Sequence, residues 1–232
     1  PSNLTVEMPG LRNFKSHPAI MPIYLMRLIL LPFTYRLKKF AKHLIAHDGL
    51  IFMDYENLRS TEESIGFKIE NPVYLPIPAE RKGLRRVSTR GSEAAIHLCW
   101  IGRVVDFKYY ILKRLLDDLS ILAVQSSLEF KVTIVGDGTH LPQLKDYCSK
   151  VDSYTVTFLA HLEEPSLNQL LVNEVDILCA MGTSALEGAK FGVPTILLDI
   201  AYTHVPETYM YRWLYQRDGS TLGETLRVFH ED

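Results

Sequence analysis

Beyond residue 94 the chain keeps one beat: a short apolar run, then a longer segment with apolar residues three and four apart. The runs are Ala95–Ile101 (AIHLCWI), Lys131–Val135 (KVTIV), Thr155–Leu159, Val175–Ala180 and Thr195–Asp199. Short apolar runs bounded by turn formers predict strands. Between them, Tyr109–Val124 puts Leu112, Leu115, Leu116, Leu119 and Leu122 on one helical face. Further helices are expected at about Leu141–Ser149, Ser166–Asn173 and Thr183–Phe191, the last stopped by Gly192-Val193-Pro194. Strands joined to helices by short crossovers demand a parallel sheet covered on both faces. The expected fold class is therefore α/β, a doubly wound parallel sheet whose ligand lies beyond the carboxyl ends of its strands.

The earlier part of the chain is less regular. A helical run ends near Ala46, GLIFM (Gly49–Met53) reads as a strand, and Glu56–Ile65 as a helix closed by Gly66. Val73–Ile77 is extended, with Pro76 and Pro78 breaking it. Ala79–Glu93 holds five arginines and lysines, two glycines and a Ser-Thr pair, a linker composition. The expected division is a partial α/β segment over 1–78, a linker over 79–93 and the doubly wound domain over 94–232. The most apolar stretch, Ile20–Phe40, is interrupted by Pro22, Arg27 and Pro32 and followed by Arg36, Lys38, Lys39 and Lys42. It falls short of the roughly 18–20 apolar residues of a spanning helix. Residues 20–42 fit either a helix resting on an anionic membrane surface or a core-facing helix with a solvated basic end. Residue 1 is Pro and no signal-peptide pattern follows it, so the chain is expected to begin inside a longer gene product.

Composition narrows the class. With 232 residues, 47% apolar and 22% charged, the chain is globular, and collagen-like, coiled-coil and disordered readings are excluded. A net charge of −2 supplies no overall field for nucleic acid, so no nucleic-acid partner is expected. Cys99, Cys148 and Cys179 are too scattered for a disulfide framework or a zinc site, which favours a reducing, cytoplasmic compartment. No set of residues has metal-ligand spacing, and no metal is expected. There is no G-x-S-x-G elbow and no G-x-G-x-x-G fingerprint.

Three strand ends carry candidate chemistry. After the first strand of the domain, Gly102-Arg103-Val104-Val105-Asp106-Phe107-Lys108 offers two cations on one loop. They suit a diphosphate, or are ordinary surface charges. Gly136-Asp137-Gly138 closes the second strand, either letting backbone approach a ligand or making a tight turn. At Met181-Gly182-Thr183-Ser184-Ala185-Leu186-Glu187 a strand turns into a helix, whose first amides make an anion site. Thr183 and Ser184 add hydroxyl donors or cap the helix. Glu187 can accept two hydrogen bonds from a ribose diol or complement the helix dipole. His97 reads as structural. His140 and His161 sit at strand ends, within reach of a base or sugar or simply solvated.

In order, the pieces GR-VVDF-K, VGDG, VTFLAHL, VDILCAMG and LEGAKFGVP resemble the C-terminal, donor-binding domain of GT-B glycosyltransferases, especially family 4 (group 1). The resemblance runs from Ile96 to about Asp199. It implies a Rossmann-like nucleotide-sugar-binding domain preceded by part of an acceptor-side domain. Arg103 and Lys108 would hold the donor diphosphate, beside Gly102 and the Gly136-Asp137-Gly138 turn. Gly182, Thr183 and Ser184 would bind phosphate oxygens, Glu187 the ribose, and the loop at His161 and Leu162 the base. The family pairs two glutamates eight positions apart; here Cys179 stands at the first. The implied activity is hexosyl transfer from a nucleotide diphosphate sugar such as a UDP- or GDP-sugar to an acceptor hydroxyl, without metal or other cofactor. A glycan or lipid-linked acceptor in surface polysaccharide or glycolipid synthesis would fit, with the enzyme cytoplasmic or peripheral at the inner face of the membrane. The alternative is a non-catalytic subunit that holds the nucleotide sugar while a partner supplies the acceptor domain, in which case this chain alone is inactive.

Overall fold

The computed structural model describes residues 23–83, 95–126, 128–217 and 222–226, with side chains from residue 34 onward. The chain divides after Ile77 into two compact units. Most of the expected 79–93 linker lies outside the described residues.

The first unit holds helix α1 (Ile23–Ala46), strand β1 (Ile51–Phe52), helix α2 (Tyr55–Ile65) and strand β2 (Val73–Tyr74), with β1 and β2 paired in parallel. Asp54 starts α2 by accepting the Asn57 amide at 2.8 Å, and Gly66 ends it in the left-handed region at φ +74°. Leu37 and Ala41 of α1 pack on Phe52, Leu58, Ile65 and Ile69. The described part of α1 thus has a core-facing side, as one of the two sequence readings holds. Among the described residues no helix is long and apolar enough to cross a membrane.

The second unit is a six-stranded sheet in the order β5-β4-β3-β6-β7-β8. Its strands are β3 (Ile96–Ile101), β4 (Phe130–Val135), β5 (Thr155–Leu159), β6 (Ile177–Ala180), β7 (Thr195–Leu197) and β8 (Arg212–Trp213). The first five run parallel, and β8 joins β7 antiparallel at the edge. The helices are α3 (Asp106–Ser126), α4 (Leu141–Cys148), α5 (Glu164–Asn173) and α6 (Ser184–Ala189). Alternation along β3 decides the layers. Leu98 and Trp100 enter one core with Leu112 and Leu116 of α3 and Leu144 of α4. Cys99 and Ile101 enter the other with Leu170 and Leu171 of α5 and Ala185 of α6. This is the expected α/β, doubly wound sheet.

Several boundaries differ from the pattern. Helix α3 begins at Asp106 rather than Tyr109, because Asp106 complements the helix start and Val105 already accepts the Lys108 and Tyr109 amides at 2.9 Å. Lys108 therefore lies in the first turn of a helix, not in a loop. Leu122 is exposed, and Tyr109 and Ile111 complete the buried face instead. The short β8 has too little periodicity to be read from sequence. Helix α6 has six residues, shorter than the run Thr183–Phe191.

Candidate functional site at the switch point of the sheet

Strands β4 and β5 follow β3 to one side, while β6 and β7 lie on the other. The winding therefore reverses between β3 and β6, and a crevice opens beyond the carboxyl ends there. Trp100 of β3 pairs with Cys179 of β6. The Gly102 loop and the Met181-Gly182 turn consequently leave the sheet at the same level from neighbouring strands, about 5 Å apart.

The first loop is held rigidly. The Gly102 amide donates to Val135 O at 3.0 Å, the Val104 amide to Asp137 O at 2.6 Å, and the His140 amide to Val104 O at 3.0 Å. Val104 is fully buried, while its neighbour Arg103 extends into solvent. Gly136 (φ +137°) and Gly138 (φ +142°) press against the Gly102 and Val104 carbonyls, and a Cβ at either would fall within 3.0 Å of backbone atoms. Both glycines thus seat one strand-end loop on the other. The Asp137 side chain is exposed. His140 packs against Tyr109, its ring 5.6 Å away.

Lys108 lies over this loop. Its Nζ sits 5.8 Å from the Trp100 ring and 5.8 Å from the Phe107 ring. The Trp100 indole N–H donates to Gly102 O at 3.1 Å. A Cβ on Gly102 would lie 3.3 Å from the Lys108 amine, so this glycine leaves room for it. Burial, and then the positive charge of Arg103, push the Lys108 ammonium below the usual lysine range. Neither cation has a carboxylate partner among the described residues. Two like charges are thus brought together at a strand end without a neutralising neighbour among the described residues.

At the second loop, Gly182 is left-handed (φ +63°) with open space where a Cβ would stand. Its amide donates to Leu222 O at 2.7 Å. Thr183 is exposed and makes no side-chain cap, so the capping alternative is not realised for its hydroxyl; Ser184 is the first helical residue. Gly188 brings α6 onto the sheet, where a Cβ would lie 2.6 Å from Leu178 Cδ2 and 2.7 Å from Thr195 Oγ1. Glu187 accepts from the Lys190 amine at 2.8 Å, both side chains about a quarter exposed. The Lys190 carbonyl takes the Lys82 amide at 2.9 Å, and the Lys82 amine pairs with Glu164. Cys179 is 1% exposed inside the first core, its thiol pushed up by burial. The position before Glu187 in the expected pair therefore presents nothing to a ligand.

His161 is exposed and Leu162 half-buried against the second core. They follow β5, two strands from β3, hence about 10 Å from the Arg103 loop at sheet level. His97 is structural as expected: buried, with Nε2 2.7 Å from Thr133 Oγ1. Sequence reading missed Trp100 and Phe107 as the walls around Lys108, and Lys190 as the partner of Glu187. Only the i,i+3 spacing of the last pair signals it beforehand.

No family model matches the chain, and no curated protein matches its sequence. Solved structures do. The lipopolysaccharide outer core galactosyltransferase WaaB, in its apo form, superposes at a TM-score of 0.50 with 15% identity, covering 68% of this chain and 44% of WaaB. S. aureus TarM, as a mutant in complex with fondaparinux, alpha-GlcNAc-glycerol and UDP, gives 0.47, 14% identity and coverages of 68% and 32%. The pneumococcal O-GlcNAc transferase GtfA, in complex with UDP and GlcNAc, gives 0.44, 13% identity and coverages of 66% and 31%. The likeness to WaaB shows the fold: a GT-B glycosyltransferase architecture. The chain spans less than half the length of each of these proteins.

Proposed function

We propose that the chain is the donor-binding part of a glycosyltransferase, moving a hexose from a nucleotide diphosphate sugar to an acceptor hydroxyl. One observation carries this reading: Arg103 and Lys108, with no carboxylate partner among the described residues, stand beside each other at the switch point of the sheet. In the reaction the bond between the anomeric carbon and the β-phosphate oxygen breaks, releasing the nucleoside diphosphate, and the acceptor oxygen bonds to that carbon as its proton passes to solvent. Negative charge grows on the leaving diphosphate. Arg103 and Lys108 are placed to offset it, and preorganised cations are an effective way to lower such a barrier. The amides and hydroxyls of Thr183 and Ser184 add donors from the neighbouring strand end, where Gly182, its own amide held by Leu222 O, leaves open space, and Glu187 is the group for the ribose. Side chains supply the neutralising charge in this scheme, without metal. The acceptor is a glycan or a lipid-linked glycan of surface polysaccharide or glycolipid synthesis. The place of work is the cytoplasm or the inner face of the membrane, with residues 20–42 as the peripheral contact.

A second reading is a nucleotide-sugar-binding subunit completed by a partner's acceptor domain. Among the described residues the sheet of the first unit is a two-stranded parallel pair, and a parallel sheet that small needs further structure, from the same protein or from a partner, to stand. Transfer activity from the isolated chain eliminates this reading.

A melting-point panel of UDP, GDP, ADP, CMP and dTDP tests donor binding, because a ligand of the native state raises Tm. At least one diphosphate is expected to do so. Arg103→Ala should weaken that diphosphate by about 1.5–3 kcal/mol, the worth of a charged hydrogen bond, and leave the nucleoside unaffected. Equal losses for both contradict a phosphate role.

A further inference from the structure

Beyond the carboxyl end of β7, two strands from the Arg103 loop in the strand order, lies a pocket of about 280 Å³. Asp199, Thr208, Tyr209, Arg212, Arg217 and Glu224 supply its polar lining. Its lining includes a buried ion pair. Arg217 Nη2 donates to both Asp199 oxygens, at 2.6 and 2.8 Å, and Nη1 to Glu224 Oε1 at 2.9 Å. Asp199 also accepts the Glu224 amide at 2.9 Å and the Tyr209 hydroxyl at 3.2 Å. Both side chains of the central pair are nearly sealed, 5% exposed for Arg217 and 7% for Asp199.

The groups left over are mostly donors. Arg217 Nε is buried without a hydrogen-bond partner among the described residues. The Arg212 guanidinium stands exposed on the rim, carried by β8 opposite Leu197, with no carboxylate partner among the described residues. Thr208, also exposed, lines the same pocket. The acceptor capacity of Asp199 is spent, and what remains on Glu224 belongs to a side chain that is 47% exposed. An arginine fork on the rim is matched best by a planar or tetrahedral oxyanion.

We infer that this pocket is a second anion site, taking one sugar-sized unit that bears a carboxylate or a phosphate. Arg212 binds the oxyanion directly and Thr208 donates to it. Pro206, Met210 and Leu226 line the rest of the pocket and suit the apolar face of a small ring. The oxyanion class follows from the unspent donors alone; the sugar body rests on the glycosyl-transfer reading.

Titration calorimetry of the full chain with glucuronate and with glucose 1-phosphate tests this, with neutral glucose as the control. At least one anionic sugar is expected to bind, with glucose at least tenfold weaker. The one that binds identifies the oxyanion. Arg212→Gln, an exposed change whose folding is checked by its Tm, should weaken that binding about ten- to a hundredfold, the loss of a charged hydrogen bond. Arg103→Ala should leave it unchanged. The inference is overturned if neither anion binds, if glucose binds equally well, or if the loss follows Arg103 rather than Arg212. A chain that binds these sugars through Arg212 but no nucleotide diphosphate refutes the transfer reading and leaves this site standing.

Discussion

At the scale of the residue, Lys108 decides how the candidate site responds to pH. Its ammonium is held below the usual 10.5 by burial first and Arg103 second. A lysine in that state destabilises the folded protein while charged. The penalty is present below the folded pKa and is relieved as pH rises through it. A bound diphosphate offsets the charge and makes the folded protein hold the proton more firmly. Affinity should therefore fall as pH rises through the depressed Lys108 pKa, before the ordinary lysine range is reached. ADP is the suitable probe, because its base does not titrate there. Lys108→Arg keeps its charge throughout and should bind ADP with no fall in that window. The same alkaline fall in both proteins would remove Lys108 from the phosphate site. Little of this was open to the sequence. The Arg103–Lys108 spacing suggested two cations on a loop, but the tryptophan that buries one of them is the last-but-one residue of β3, and its ring direction is set by tertiary packing.

At the scale of the element, the strand-end loops form a stack of backbones. Gly102 leaves room for Lys108, while Gly136 and Gly138 rest on the carbonyls of Gly102 and Val104. Gly138→Ala must place a methyl against a fixed peptide group at φ +142°. It should cost more than 2 kcal/mol on the order expected for forced backbone strain plus overpacking. Gly182→Ala meets open space at φ +63° and should cost only about 1–2 kcal/mol for the left-handed backbone. Denaturant unfolding of the two variants checks the ranking, and equal losses would deny the stacked-loop account. The VGDG turn was legible as a turn, but its reason was not. A glycine that admits ligand and a glycine that admits a neighbouring carbonyl look alike in sequence. Helix α2 was legible to the residue at its C-terminus, since Gly66 signals its own left-handed conformation. The start of α3 was missed by three residues because Asp106 was read with the loop rather than as a first-turn acid.

At the scale of the whole molecule, the alternation of apolar runs with helical faces was enough to give the doubly wound sheet. Strand order was not open in the same way. That β3 lies between β4 and β6 is a property of winding, and only this order makes the Arg103 loop and the Gly182 turn neighbours. The antiparallel β8 and the Asp199–Arg217–Glu224 lattice involve partners up to 25 residues apart, beyond any local pattern. The account's central claim is that the β3 and β6 strand ends serve one ligand. The direct test is an amide-resolved NMR titration of the chain with UDP and GDP. One of them should shift Gly102, Arg103 and Lys108 together with Gly182, Thr183 and Glu187, all along curves fitted by one dissociation constant. Shifts confined to one of the two groups, or two groups titrating with different constants, would contradict it.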